Sequence, residues 1–178
     1  MNLIENRTIG EIEIGDSAEI ERVLTRKDLT LFARVSADIN PELLETHGEE
    51  GEELEQGVAQ GMWAGAAIAS VLATHLPGPG TLHLGHSLQF HHPVKIGDRI
   101  TIRVEVTFLD KDTGQVDLEC VCVNTEGETV ISGNARVEAP RKKIRRHLQK
   151  LPTPGLKAPG VRFAALVERA RSLEPLVT

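Results

Sequence analysis

Residues 60–73 read QGMWAGAAIASVLA, and this uncharged stretch decides how the rest of the chain folds. Apolar residues would lie all round a helix of this sequence, so the pattern predicts a helix buried on nearly every side. The many glycine and alanine residues leave room for other parts of the chain to come close. Immediately afterwards, Pro77-Gly78-Pro79-Gly80 ends any helix that begins here.

The residues that follow this helix alternate between apolar and polar side chains, as β-strands do. We predict strands over Leu82–Phe90, Arg99–Leu109, Gln115–Asn124 and Thr129–Ala139, joined by turns. On the second of these strands, one face is expected to hold Ile100, Ile102, Val104, Val106 and Phe108. The sequence therefore predicts an α+β fold, in which an antiparallel sheet wraps around a central buried helix.

The region before the central helix is predicted to hold a strand, two helices and a loop. Residues 17–24 alternate as a strand, and Thr25 can cap a helix that ends before Asp38, because the residue before a proline avoids helical geometry. A short helix is expected over residues 42–47. Residues 48–57 are strongly acidic, and a solvated loop is the simpler interpretation, with a mobile lid as the alternative.

Composition excludes several classes of function. The net charge of −6, the 3% of aromatic residues and the absence of tyrosine argue against a nucleic-acid-binding protein. No run of about 20 apolar residues predicts a membrane span. The N-terminus lacks a signal-peptide pattern, so we expect a cytoplasmic protein. Cys120 and Cys122 are interpreted as reduced packing residues, since two cysteines are too few for a structural zinc site, and no metal site is predicted.

The character of the chain changes after Pro140. We predict one domain over residues 1–140, a basic and Pro/Gly-rich linker over residues 141–160, and a C-terminal helix over residues 161–178. That helix is amphipathic and would need a partner surface. The chain does not supply one, so we expect either a docked tail or the start of a further domain.

Asp38 is the first candidate for chemistry. The N-terminus of the central helix would offer free N–H groups and partial positive charge, which suit a thioester oxygen that gains negative charge. A carboxylate close by could act as a general base on water. On spacing alone, however, a turn or cap role is the simpler interpretation of Asp38.

Three segments resemble the MaoC-type (R)-specific enoyl-CoA hydratases, which have a hot-dog fold. They are residues 32–41 (FARVSADINP), residues 59–62 (AQGM) and residues 80–98 (GTLHLGHSLQFHHPVKIGD). The likeness runs from Leu24 to about Pro140. It is greatest to the hydratase-like domain that some bacteria fuse to a phosphate acetyl- or butyryltransferase, and Arg162–Ala170 resembles the opening helix of that transferase.

The resemblance implies a hydro-lyase that acts on trans-2-enoyl-CoA. Asp38 would be the catalytic base, Asn40 would orient it, and the N–H of Gly61 would stabilise the thioester oxygen. The remaining substrate-binding positions are Gln60, Met62 and Trp63. The resemblance further implies a homodimer or higher homo-oligomer with the acyl-CoA at the subunit boundary, and no cofactor besides the coenzyme A thioester.

The chain departs from the family motif S-G-D-x-N-P-x-H at functionally important positions. Leu43 replaces its histidine, Ala37 replaces its glycine, and Gln60 replaces the histidine that usually precedes Gly-Met. A positioned acid or base typically contributes roughly 10²–10⁴-fold to the rate. Two alternatives therefore stay open: a catalytically degenerate acyl-CoA-binding or scaffolding domain of a phosphate acyltransferase, and a hot-dog acyl-CoA thioesterase.

Histidines elsewhere in the chain are weaker candidates for chemistry. His47 lies one helical turn beyond Leu43 and would need a shifted helix to replace the missing imidazole. By even spacing, His83 and His91 would share one face of their strand, provided that no bulge intervenes. His86 and His92 would share the other face. Mixed polar positions on a half-exposed sheet are the simpler interpretation of all four.

Overall fold

The computed structural model describes residues 3–38, 59 and 61–147, and all structural statements below concern these residues. Several predictions lie outside them: the short helix over residues 42–47, the acidic loop over residues 48–57 and the helix over residues 161–178. Their structures stay predictions.

Antiparallel strands dominate the described part of the chain. A five-stranded sheet has the order β2-β4-β5-β6-β3, and β1 pairs with β7 in a second, two-stranded sheet. Two helices of the described residues lie between β2 and β3. The elements are β1 (Leu3–Glu5), β2 (Ser17–Val23), α1 (Arg26–Ser36), α2 (Gly61–Thr74), β3 (Leu82–Phe90), β4 (Arg99–Asp110), β5 (Gln115–Asn124), β6 (Thr129–Glu138) and β7 (Arg145–His147).

The core lies between α2 and the five-stranded sheet. Ile68, Val71 and Leu72 of α2 are fully buried and belong to the same apolar cluster as the inward side chains of β4, β5 and β6. No charged group interrupts α2, so the helix can lie on the sheet without burying an unpaired charge. The predicted α+β arrangement of a hot-dog fold, a helix held by an antiparallel sheet, is confirmed.

One face of α2 departs from the prediction of burial on nearly every side. Met62, Ala66, Ser70 and Ala73 recur at helical spacing and are exposed in the single chain, and the side chain of Met62 is 57% exposed. The apolar composition of a helix does not reveal which of its faces the same chain will cover. No helix in the described ranges is long and apolar enough to span a membrane.

Among the register shifts of the described sheet, those in β4 and β3 change the faces that alternation predicts. The register of β4 against β5 shifts between Val106 and Phe108, and Phe108 is 46% exposed instead of continuing the buried face. A second bulge in β3 shifts its register against β6 between His83 and Gly85. An extra residue in one strand reverses the alternation beyond it.

The basic run after Pro140 is part of the fold, so the predicted linker is wrong for its first residues. The buried Asn6 side chain donates to the Lys142 carbonyl at 2.9 Å and accepts from the Ile144 N–H at 2.9 Å. Arg145 then pairs with Glu5 at 2.6 Å. The local composition of this segment predicts solvation, because its partners Asn6 and Glu5 lie at the other end of the chain and leave no local signal.

Gly133 provides a test of how β3 is held. It lies opposite Leu88 in the β3–β6 pair, and a Cβ placed on it would come within 2.0 Å of the Ser87 carbonyl oxygen. We expect Gly133→Ala to lower the free energy of unfolding by about 3 kcal/mol or more, because the backbones of β3 and β6 must separate. Urea denaturation measures this change.

Gly85 is the matched control on the same strand pair. A Cβ placed on Gly85 meets nothing within 4 Å, so Gly85→Ala should change the free energy of unfolding by less than about 1 kcal/mol. Equal stability of the two variants would contradict this account of β3.

Candidate functional site

Helix α1 positions the candidate base. Its first turn holds a capping box: the Thr25 hydroxyl accepts from the Asp28 N–H at 3.2 Å, and the Asp28 carboxylate accepts from the Thr25 N–H at 3.0 Å. The helix ends at Ala37, whose φ of 58° lies in the left-handed region. This conformation costs a non-glycine residue roughly 1–2 kcal/mol, and the motif has glycine there.

Asp38 follows this left-handed turn and is exposed in the single chain. Its N–H donates to the Ser36 hydroxyl at 3.2 Å, and that hydroxyl donates to the Phe32 carbonyl at 2.7 Å. These bonds fix the backbone at the end of α1. The Asp38 carboxylate therefore lies at the exposed C-terminal end of α1.

Gly61 begins α2 and opens onto a cavity of about 360 Å³. As the first residue of the helix, it has an N–H without a partner in the helix itself. The described residues around the cavity carry no carboxylate, lysine or arginine, and Asp38 is not among them. They are Ala59, Gly61, Ala64, Phe90, His91, His92, Pro93, Val94, Val130 and Ile131.

Close packing against Phe90 explains why glycine suits the start of α2. A Cβ on Gly61 would lie 3.1 and 3.2 Å from two carbons of the Phe90 ring, which is tighter than ordinary contact. Without a side chain at Gly61, the aromatic ring lies directly against the helix tip. The positive end of the α2 dipole thus lies beside an apolar ring, and covering this exposed tip would strengthen an electrostatic interaction there.

The two other described candidates, Met62 and Trp63, face different regions. Trp63 is buried at 7% exposure and lines a second cavity of about 350 Å³ with Phe32 and Ser70, between α1 and α2. Met62 lies on the open face of α2, and its side chain lies next to Gly65. Trp63 therefore contributes to a cavity between two helices of the single chain, and Met62 lies on an exposed face.

Four residues of the sequence argument lie outside the described residues: Asn40, Leu43, His47 and Gln60. The structure therefore does not test the replacement of the motif histidine by Leu43.

Sequence reasoning missed His91 and His92 as neighbours of Gly61. Both line the cavity at the start of α2, and the His91 Nε2 lies 2.8 Å from the Ser132 hydroxyl. The contact between Gly61 and Phe90 places the end of β3 beside the helix tip. Gly61 and Phe90 are 29 positions apart and give no local signal of that contact, so only the fold reveals it.

The cysteines are excluded as nucleophiles. Cys120 and Cys122 are free and fully buried, as predicted for packing residues. Burial raises the pKa of each thiol to about 12, so neither forms a thiolate near neutral pH. Among the described residues, no group of three or more side chains could hold a metal ion.

Comparisons with known proteins agree with this geometry. Residues 11–138 match the family model described as MaoC like domain. The (R)-specific enoyl-CoA hydratase of Rhodospirillum rubrum is 35% identical over 74% of this chain and 91% of its own length. The 3-hydroxybutyryl-CoA dehydratase of Methylorubrum extorquens is 32% identical over 75% of this chain and 84% of its own length.

A solved structure extends the likeness to three dimensions. The unliganded R-hydratase PhaJ1 from Pseudomonas aeruginosa superposes with a TM-score of 0.77 and is 34% identical. The match covers 88% of this chain and all of that one.

Proposed function

Because the chain belongs to the MaoC-like domain family, we propose that it is an (R)-specific enoyl-CoA hydratase. The reaction would add water to trans-2-enoyl-CoA and give 3-hydroxyacyl-CoA. The observation that carries this proposal is the tip of α2. There Gly61, with an N–H that the helix does not use, opens onto a cavity whose described lining residues carry no carboxylate, lysine or arginine. The hydratase relatives support the choice of reaction.

Gly61 would stabilise the charge that develops on the thioester oxygen. Addition of hydroxide to C3 of the enoyl group moves electrons onto that oxygen and forms an enolate. An N–H donor and the positive end of α2 bind an enolate oxygen more strongly than a neutral carbonyl, so they lower the barrier. Phe90 forms an apolar wall beside Gly61, and a second copy that covers this half-exposed ring would exclude water and strengthen the interaction.

Asp38 would serve as the base. Its carboxylate removes a proton from water, the hydroxide bonds to C3, and the protonated carboxyl then returns the proton to C2. Water is thereby added with no change in oxidation state and no cofactor. Asn40 would orient the carboxylate, and Leu43 leaves this one carboxyl to serve as both base and acid.

The substrate would lie where two copies of the chain meet. Asp38 and Met62 are exposed in the single chain, as expected of residues that a second copy covers. Gln60 and Met62 flank Gly61 and would contact the thioester. The acyl chain would use the cleft between α1 and α2, to which Trp63 and Phe32 contribute apolar surface.

Strand β3 provides the surface for a homodimer. Among the described strands, β3 pairs only with β6, so its other edge presents unpaired backbone groups. Leu82, Leu84 and Phe90 on this strand are 60%, 54% and 51% exposed. A second copy could extend the sheet by antiparallel pairing about a two-fold axis and cover these side chains.

Leu43 favours a second candidate function, an acyl-CoA-binding domain without turnover. A leucine at the position of the motif histidine moves no proton, so binding would be kept while hydration is lost. The transferase link belongs to this alternative and rests on the sequence of Arg162–Ala170. A CoA-thioester substrate also fits a cytoplasmic protein.

An assay with crotonyl-CoA distinguishes the three functions. Loss of enoyl absorbance indicates hydration, and release of free CoA indicates a thioesterase. Binding without either reaction indicates a scaffold.

Gly61→Pro tests the role of the helix tip. Proline is tolerated at the first position of a helix but has no N–H. Gly61→Ala is the matched control, because it adds a Cβ against Phe90 and keeps the N–H. We expect the kcat for crotonyl-CoA to be roughly 10²-fold lower in the proline variant than in the alanine variant. Equal kcat values would exclude Gly61 as the donor.

Asp38→Asn tests the base. The amide cannot accept the proton from water, so we expect kcat to fall by roughly 10²–10⁴-fold while binding of crotonyl-CoA is kept. Leu43→His restores the motif and should raise kcat, because it adds a second acid or base. Full activity in Asp38→Asn would overturn the proposed role of Asp38.

Leu84→Lys tests the dimer. A lysine on an exposed strand edge opposes strand pairing, so we expect the variant to sediment as a monomer where the wild type is a dimer. Ile14→Lys is the control, since Ile14 is 68% exposed and lies away from β3 in the chain. A dimer that survives Leu84→Lys and dissociates on Ile14→Lys would place the interface elsewhere.

A further inference from the structure

The bulge in β3 creates a pair of histidines that the proposed reaction does not use. His83 lies opposite Val137 of β6, whereas Gly85 lies opposite Arg136 and His86 opposite Ala135. Leu84 is therefore the extra residue. His83 and His86 consequently share the face of the sheet that holds Val137 and Ala135, whereas alternation without a bulge predicts opposite faces.

The two imidazole rings lie close together. Their centroids are 5.2 Å apart, and their planes are inclined by 34°. Both residues are exposed in the single chain and lie on the edge strand. Neither side chain has a direct role in the mechanism proposed for Asp38 and Gly61.

This separation suits two ligands of one metal ion. A zinc ion lies about 2.0–2.1 Å from each ligating imidazole nitrogen, and so about 3.2 Å from each ring centroid. Two rings held at a roughly tetrahedral angle then have centroids about 5 Å apart. Imidazole is a preferred ligand of zinc, copper and nickel.

We propose that His83 and His86 form a binding site for a divalent transition metal of the zinc class. The two side chains chelate the ion, and its remaining ligands are water or the same pair from a second copy docked on β3. The site is separate from the residues proposed for hydration, so it stands whether or not the chain is a hydratase.

Titration of the metal-free full chain with Zn²⁺ in a calorimeter tests the site. Wild-type protein should bind one ion per chain, or one per two chains if the pairs of two copies share it. His83→Gln and His86→Gln should each weaken binding at least tenfold, because one ligand cannot chelate, and the double variant should lose this binding. The unfolding midpoint of each variant shows whether its fold is kept.

His75→Gln is the matched control, since His75 follows α2 and lies outside β3. It should bind Zn²⁺ as the wild type does. The proposal is overturned if the double variant and the wild type bind Zn²⁺ equally, or if the wild type does not bind it at submillimolar concentration.

Discussion

The contact of α2 with the edge strand β3 is the constraint on which the candidate site depends. A Cβ on Gly61 would lie 3.1 Å from the Phe90 ring, and a Cβ on Gly65 would lie 3.1 Å from Leu88. Two glycines one helical turn apart therefore let the strand lie directly against the helix. Larger side chains at these positions would push β3 away and open the apolar wall beside the helix tip. The same contact brings the end of β3, with His91 and His92, to the cavity at Gly61.

The exposed surfaces acquire a common explanation from this arrangement. The open face of α2 and the apolar side chains of β3 would be unusual on an isolated chain, and the carboxylate of Asp38 is exposed as well. A second copy docked on β3 would cover the first two and bring another chain towards the third. In this account, one copy of the chain positions the residues of the site, and the second copy covers them.

Much of the fold could be predicted from local patterns. The bounds of β3 and β5 match the prediction, and the capping box at Thr25 marks the start of α1, because alternation and capping depend on neighbouring residues. The errors come from contacts between distant residues. The bulges at Phe108 and Leu84 depend on register against other strands, and β7 depends on Asn6 and Glu5 at the far end of the chain. Asp38 and Gly61 could be nominated from the sequence because they lie in short local motifs. His91 and His92 could not, because only a contact between distant parts of the chain places them beside Gly61.

The central claim is that α2 receives a thioester at its N-terminus, between two copies of the chain. A crystal structure of the Asp38→Asn protein with crotonyl-CoA tests it most directly, because slow turnover preserves the substrate. The account predicts a dimer with the thioester oxygen about 2.7–3.1 Å from the Gly61 nitrogen and the side chain at position 38 within reach of C3 through one water molecule. A thioester bound away from Gly61, or a complete site within one isolated chain, would contradict it.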